Sequence, residues 1–218
     1  MAAIPSKPRK RRKPGRPARS QNQREHLLDT AVACYARDGV TATSARTIAA
    51  AAGVTPALVN YYFGSKERLL EAVVQERLMP VVLSLRDTVA AAGESPAAVA
   101  AAFVRGIHAA VARHPWLPSI WVREILTENG ALREAFFERV SPLVPRLLAE
   151  RFGAARQSGA LPEGLDPRLV VVSLIGLTFF PLAGASIWRR LFDAHDVDNE
   201  ALQRHTLALL RQGLGAPP

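Results

Sequence analysis

Apolar residues recur along most of this chain with the spacing of helices rather than strands. Leu28, Ala31, Val32 and Tyr35 follow the i, i+3, i+4, i+7 pattern of one helical face, and Gly39 marks its end. Thr43 or Ser44 is placed to cap a short second helix through about Ala52, closed by Gly53. Thr55 precedes a third helix with Pro56 at its first position, where a missing N–H costs little, and Phe63–Gly64 ends it. Ser65 then opens a fourth helix, whose stripe is Leu69, Leu70, Val73, Val74, Leu78 and Val81.

Beyond Gly93 the predicted helices lengthen. One runs from Ser95–Pro96 to about Arg113 and another from Pro115 to about Glu128. Leu132, Phe136, Phe137, Val140, Leu143, Val144, Leu147 and Leu148 hold one phase across Pro142 and Pro145, which kink or restart that helix. A Gly- and Pro-rich loop over 153–167 leads to two last helices, about 167–192 with a kink at Pro181, and about 198–213. No strand alternation or internal repeat stands out. The expected class is all-α, about nine helices.

Composition agrees: alanine is abundant and aromatics are 6%, which suits helices better than a sheet. The charge is unevenly placed. Nine cations (Lys7, Arg9, Lys10, Arg11, Arg12, Lys13, Arg16, Arg19, Arg24) precede the first acid, and the remaining basic residues equal the 19 acidic ones. The whole +9 excess therefore sits at the N-terminus, which points to a polyanion, nucleic acid or anionic lipid, as partner. Residues 1–21 read as a basic arm unstructured in isolation. A single cysteine, Cys34, excludes an intrachain disulfide, and no apolar segment follows the basic start as a signal peptide requires, so a cytoplasmic protein is expected. Leu169–Trp188 carries no charge, but its Ser, Gly, Thr and Pro residues favour a buried helix over a membrane span.

The segment Thr43–Leu70 carries most of the functional information. Two short helices meet at Gly53, and Ile48, Ala49, Ala52, Val54 and Val59 can close a small core that fixes their angle. Such a corner lets one helix enter a major groove while the other braces on the backbone. Thr43, Ile48–Ala49, Gly53–Val54, Thr55, Tyr61-Tyr62-Phe63, Ser65-Lys66-Glu67 and Leu69–Leu70, in that order, resemble the tetracycline-repressor-like (TetR) family of regulators. The likeness covers about residues 22–75.

The resemblance implies a three-helix helix-turn-helix DNA-binding domain (22–70) and a larger helical effector-binding and dimerisation domain (71–218). It implies that Thr55, Pro56, Ala57, Leu58, Asn60 and Tyr61 face the groove, with Arg46 on a base or the backbone and Lys66 and Tyr62 at phosphates. Asn60 stands where the family usually has tyrosine. It can bond adenine bidentately, or bond phosphate, or cap locally. Arg11–Pro17 is similar to an AT-hook core, with Arg16 as the side chain in a narrow minor groove; a counterion-releasing tail is the alternative.

The same resemblance implies dimerisation through the last two helices, for which Leu174, Leu177, Gly184, Leu202, Leu209 and Leu210 are the expected interface. It also implies a small-molecule pocket, for which Phe103, Ile107, His108, Trp116, Trp121, Ile125, Phe137 and Phe179 are candidates, with core packing as the competing role of each. A mainly apolar effector is expected. No metal-ligand spacing, phosphate-binding loop or nucleophile elbow appears, so neither an enzyme nor a metal or other cofactor is expected. The expected function is a repressor on a palindromic operator, released by an effector; an architectural A·T-rich DNA-binding protein is the alternative.

Overall fold

The computed structural model describes residues 16–214, with side chains from residue 20. Among these the chain is helical, with no strand. Helix α1 (Arg16–Asp38) begins earlier than expected, so the last residues of the presumed arm belong to a helix. Gly39, at φ +87°, ends it in the left-handed region that glycine enters without strain.

Next come α2 (Ala45–Ala51) and α3 (Pro56–Phe63). Ser44 is the cap of α2, its hydroxyl accepting from the Thr47 amide at 3.1 Å. Thr43 instead turns inward and donates to the Gly39 carbonyl at 2.7 Å. Thr55 occupies the cap position of α3 without a side-chain hydrogen bond, and Pro56 stands at the first turn.

The fourth expected helix is a rod of three parts: α4 (Lys66–Val73), a π-helical segment Val74–Leu78, and α5 (Met79–Ala90). Pro80 has no N–H for the carbonyl four residues back and its ring crowds that carbonyl. The wider turn just before it relieves both problems. Two further π segments interrupt expected helices. Trp121–Leu126 follows the short α7 (Leu117–Ile120), and Phe136–Val140 follows α8 (Arg133–Ala135). Helix α6 (Pro96–Arg113) precedes α7, and α9 (Pro145–Gln157) follows the last π segment.

The expected helix 167–192 divides into α10 (Pro167–Ala183) and α11 (Ala185–Leu191), bent by 74°. The break lies at Gly184 rather than at the expected Pro181. Pro181 stays inside α10, and its carbonyl accepts the Trp188 indole N–H at 2.8 Å, tying α11 back across the bend. The last helix is α12 (Asn199–Gly213). No single helix among the described residues is long and apolar enough to cross a membrane; α10 and α11 meet that measure only as a bent pair.

Two apolar cores result. The N-terminal one takes Leu27, Leu28 and Tyr35 from α1, Ile48 and Ala49 from α2, Val59 and Phe63 from α3, and Leu69 and Val73 from α4. Ala52 and Val54 pack at its edge. It also takes Ile120 and Leu132, which come from the C-terminal half of the chain. The second core lies among α5, α6, α9, α10 and α12, around Phe103, Leu148, Phe152 and Leu174.

Ion pairs fasten α1 to the rod. Arg24 donates twice to the Glu76 carboxylate, both at 2.6 Å, and Arg77 reaches Glu25 and Asp29. Arg24, counted above among the nine N-terminal cations, is thus engaged within the fold.

Candidate nucleic-acid interface and apolar cavity

Helix α3 divides cleanly into two faces. Val59 and Phe63 are buried and Tyr62 packs half-buried on the same core, whereas Pro56, Ala57, Asn60 and Tyr61 are exposed. Those four positions follow helical spacing, so the face they form is a consequence of which side the core claims. Tyr61 is 79% exposed, and its ring meets Tyr62 edge-on at 5.2 Å. Thr55 is exposed at the start of α3, Leu58 is half-buried, and Arg46 is exposed on α2.

Lys66, expected at a phosphate, has one of its three ammonium donors engaged within the fold. Its Nζ donates to the Thr41 carbonyl at 2.9 Å, joining the start of α4 to the turn before α2. Glu67 follows it in the same first turn, and a hydrogen bond with the Ser65 side chain holds its carboxyl below the usual range. The AT-hook expectation, Arg16 included, lies outside the described side chains.

A cavity of about 100 Å³ lies in the C-terminal half, and every side chain lining it is apolar. Five of the candidate residues, Phe103, Ile107, Trp121, Ile125 and Phe179, line it. Trp121 stacks on Phe179 and meets Phe136 edge-on at 5.3 Å. Three expected residues do not line it. Phe137 is exposed with the Arg133 guanidinium over its ring, and Phe136 takes its place. The π segment that starts at Phe136 widens the turn, which strict α-helical phasing does not anticipate. Trp116 packs on the N-terminal core. His108 is buried, its Nε2 has no partner, and burial lowers its pKa.

Sequence reasoning missed Leu85, Val144 and Ile175 in this lining, because their neighbours in space are far apart in sequence. It also missed Glu124, a buried acid in the segment Trp121–Leu126, where it stands beside Arg123 and reads as an ordinary exposed charge.

An open groove runs along the outer side of the same wall. Trp121, Ile175 and Phe179 line it too, with Val172, Phe180 and Ile187, and Arg123 is charged at its edge. Val172, Phe180, Ile187 and Leu191 are all exposed, so α10 and α11 present an apolar face to solvent. Of the expected interface residues, Leu177 and Leu209 are exposed and Gly184 lies at the bend. Leu210 is half-buried on the second core, while Leu174 and Leu202 are buried inside it. Those last two side chains serve this chain's own packing and are not available to a second copy.

A capped two-helix corner with an exposed face, seated on a helical body with an apolar cavity, defines a helix-turn-helix protein with a C-terminal helical domain. Residues 27–73 match the family described as "Bacterial regulatory proteins, tetR family". Among curated relatives, the HTH-type transcriptional regulator BetI of Rhizobium meliloti (strain 1021) is 40% identical over 75 residues, 34% of this chain and 35% of BetI. The chain thus matches about a third of the length of the curated relatives. Among solved structures, the ketosteroid transcriptional regulator KstR2 of Mycobacterium tuberculosis shares the fold with a TM-score of 0.70 at 19% identity, over 89% of this chain and 96% of that one. AibR in complex with isovaleryl coenzyme A and operator DNA does so with a TM-score of 0.67 at 22% identity, over 86% and 97%.

Proposed function

We propose that this protein is a transcription regulator that binds a palindromic operator as a dimer, represses by occupancy, and is released when a small apolar group enters the cavity. The exposed face of α3 carries the reading. Pro56, Ala57, Asn60 and Tyr61 stand outward from a helix whose other side is locked into the core, which is the arrangement a groove-reading helix needs. Asn60 supplies a base-edge hydrogen-bonding group, Pro56 and Ala57 apolar contact with thymine methyls, and the Tyr61 and Tyr62 hydroxyls reach phosphate. Arg46 and Thr55 flank that face, with Leu58 at its edge, and Lys66 fixes the adjoining turn.

Two copies are required because one short helix reads few base pairs, and a symmetric pair reads two half-sites. The apolar face of α10 and α11, with Leu177 and Leu209, is the surface that supports such pairing. The all-apolar cavity supports a hydrocarbon effector group. A cavity of about 150 Å³ holds a benzene molecule, so this smaller one suits a group of a few carbons, such as a short acyl chain. Arg123 at the outer groove is placed for an anionic remainder.

The test is to select duplexes from a random library with the full chain and compare their affinity with that of random DNA of equal A·T content. A preference of about 10³ or more supports a specific regulator. A ratio near one favours the architectural alternative.

A further inference from the structure

The cavity and the DNA-binding end of the molecule meet at one buried carboxylate. Glu124 is 5% exposed. Its Oε1 accepts the Val40 amide at 2.9 Å, its Oε2 accepts the Ala131 amide at 3.1 Å, and its own carbonyl accepts the Leu132 amide at 3.2 Å. No salt bridge reaches it among the described residues. A buried carboxylate without a cation is costly unless its oxygens are hydrogen-bonded, so these backbone amides are what hold it.

Two glycines make room for the arrangement. A Cβ on Gly39 would stand 3.3 Å from Oε1, and one on Gly130 would overlap the Glu124 backbone.

What the carboxylate joins is specific. Val40 lies in the turn between α1 and α2, where Thr43 bonds the Gly39 carbonyl and Lys66 bonds the Thr41 carbonyl. Glu124 itself belongs to the π segment Trp121–Leu126, which also carries Trp121 and Ile125 into the cavity wall. One turn of helix therefore has two residues on the cavity and one on the turn that positions α2 and α3. A π segment is a wider turn set between α-helical turns, and such bulges are frequent at functional sites.

We infer that Glu124 is the coupling residue between effector and operator: a group filling the cavity displaces Trp121 and Ile125, turns the Trp121–Leu126 segment, and withdraws the carboxylate from the Val40 amide. The α1–α2 turn is then released and α2 and α3 lose their fixed orientation. This rests on the effector reading above and supplies its regulation. Glu124 acts as a positioning residue, touching neither effector nor DNA.

The experiment uses the full chain and a duplex it has selected. The cavity is filled in two ways: by isovaleryl-CoA, or without ligand by Val144→Phe, which adds a ring to the lining. Filling should speed hydrogen exchange at the Val40 and Ala131 amides and weaken duplex binding about tenfold. In Glu124→Gln, which keeps the side-chain size but only one acceptor oxygen, the same filling should change duplex binding less than about twofold. Unchanged exchange at Val40 while duplex binding falls overturns the coupling, and this needs no change at Glu124. A full response in a folded Glu124→Gln overturns it as well. If neither filling moves duplex binding while Glu124 is intact, the effector reading fails and the coupling with it, an outcome distinct from the other two.

Discussion

Trp121 stacks on Phe179 with ring centroids 4.7 Å apart and planes 21° from parallel, and this pair is the wall between the inner cavity and the outer groove. Removing one ring should join the two spaces. Trp121→Ala is expected to lower stability by about 3 kcal/mol, from lost burial and the void left behind. Urea unfolding measures that loss. The same variant should bind bulkier apolar compounds than the wild type, read by calorimetry across a series of increasing acyl length.

Asn60 and Tyr61 are exposed on α3 and support no core. Asn60→Ala should therefore leave the thermal midpoint unchanged while costing about 1–3 kcal/mol of discrimination at a single base position. Binding to a panel of single-base variants of the selected duplex would show it. Equal losses on every duplex would instead mark Asn60 as a phosphate contact.

Phe180 and Leu174 lie on the same helix with opposite surroundings, one 76% exposed and the other fully buried. Phe180→Asp should give a folded chain that sediments as a monomer, because the change falls on the apolar face offered to a second copy. Leu174→Asp puts a charge into the core and should prevent folding altogether. Circular dichroism and sedimentation velocity separate these results. A Phe180→Asp protein that remains dimeric would place the interface elsewhere.

The Arg24 guanidinium holds the Glu76 carboxyl below its ordinary value near 4.5 through their paired hydrogen bonds. Arg139 does the same for Glu71, joining α4 to the Phe136–Val140 segment. A carboxyl with a lowered folded-state pKa binds more protons when unfolded than when folded. Its contribution is complete above about pH 4.5 and is lost as pH falls through the folded value. Stability should thus decline below that pH. Glu76→Gln should lower it at neutral pH and flatten the acid decline, as followed by thermal unfolding between about pH 3 and 7. Both pairs are partly solvated, so each effect is modest.

The helix-turn-helix was legible because its signals are local. Ser44, Gly53, Pro56, Gly64 and Ser65 act through capping and turn chemistry within a few residues, and Ile48, Ala49 and Val59 close a core between adjacent elements. The groove-facing residues of α3 came instead from the family resemblance, and of these Leu58 is half-buried. Farther along, residue type remained informative and orientation did not. Phe136 and Phe137 are equally apolar, and only the π turn assigns one to the cavity and the other to solvent. Leu174 and Phe180 both read as buried on a helix that is apolar all round, so no periodicity could tell the core side from the open side.

Capping, charge placement and the two-helix corner were determined by the sequence itself, because each depends on neighbours the chain supplies within a few residues. The tertiary structure decided which side of α10 is exposed, where the Pro181 helix breaks, and that Glu124 meets Val40. Those outcomes depend on which distant helix arrives to fill a space, and on backbone hydrogen bonds between segments that no local pattern connects.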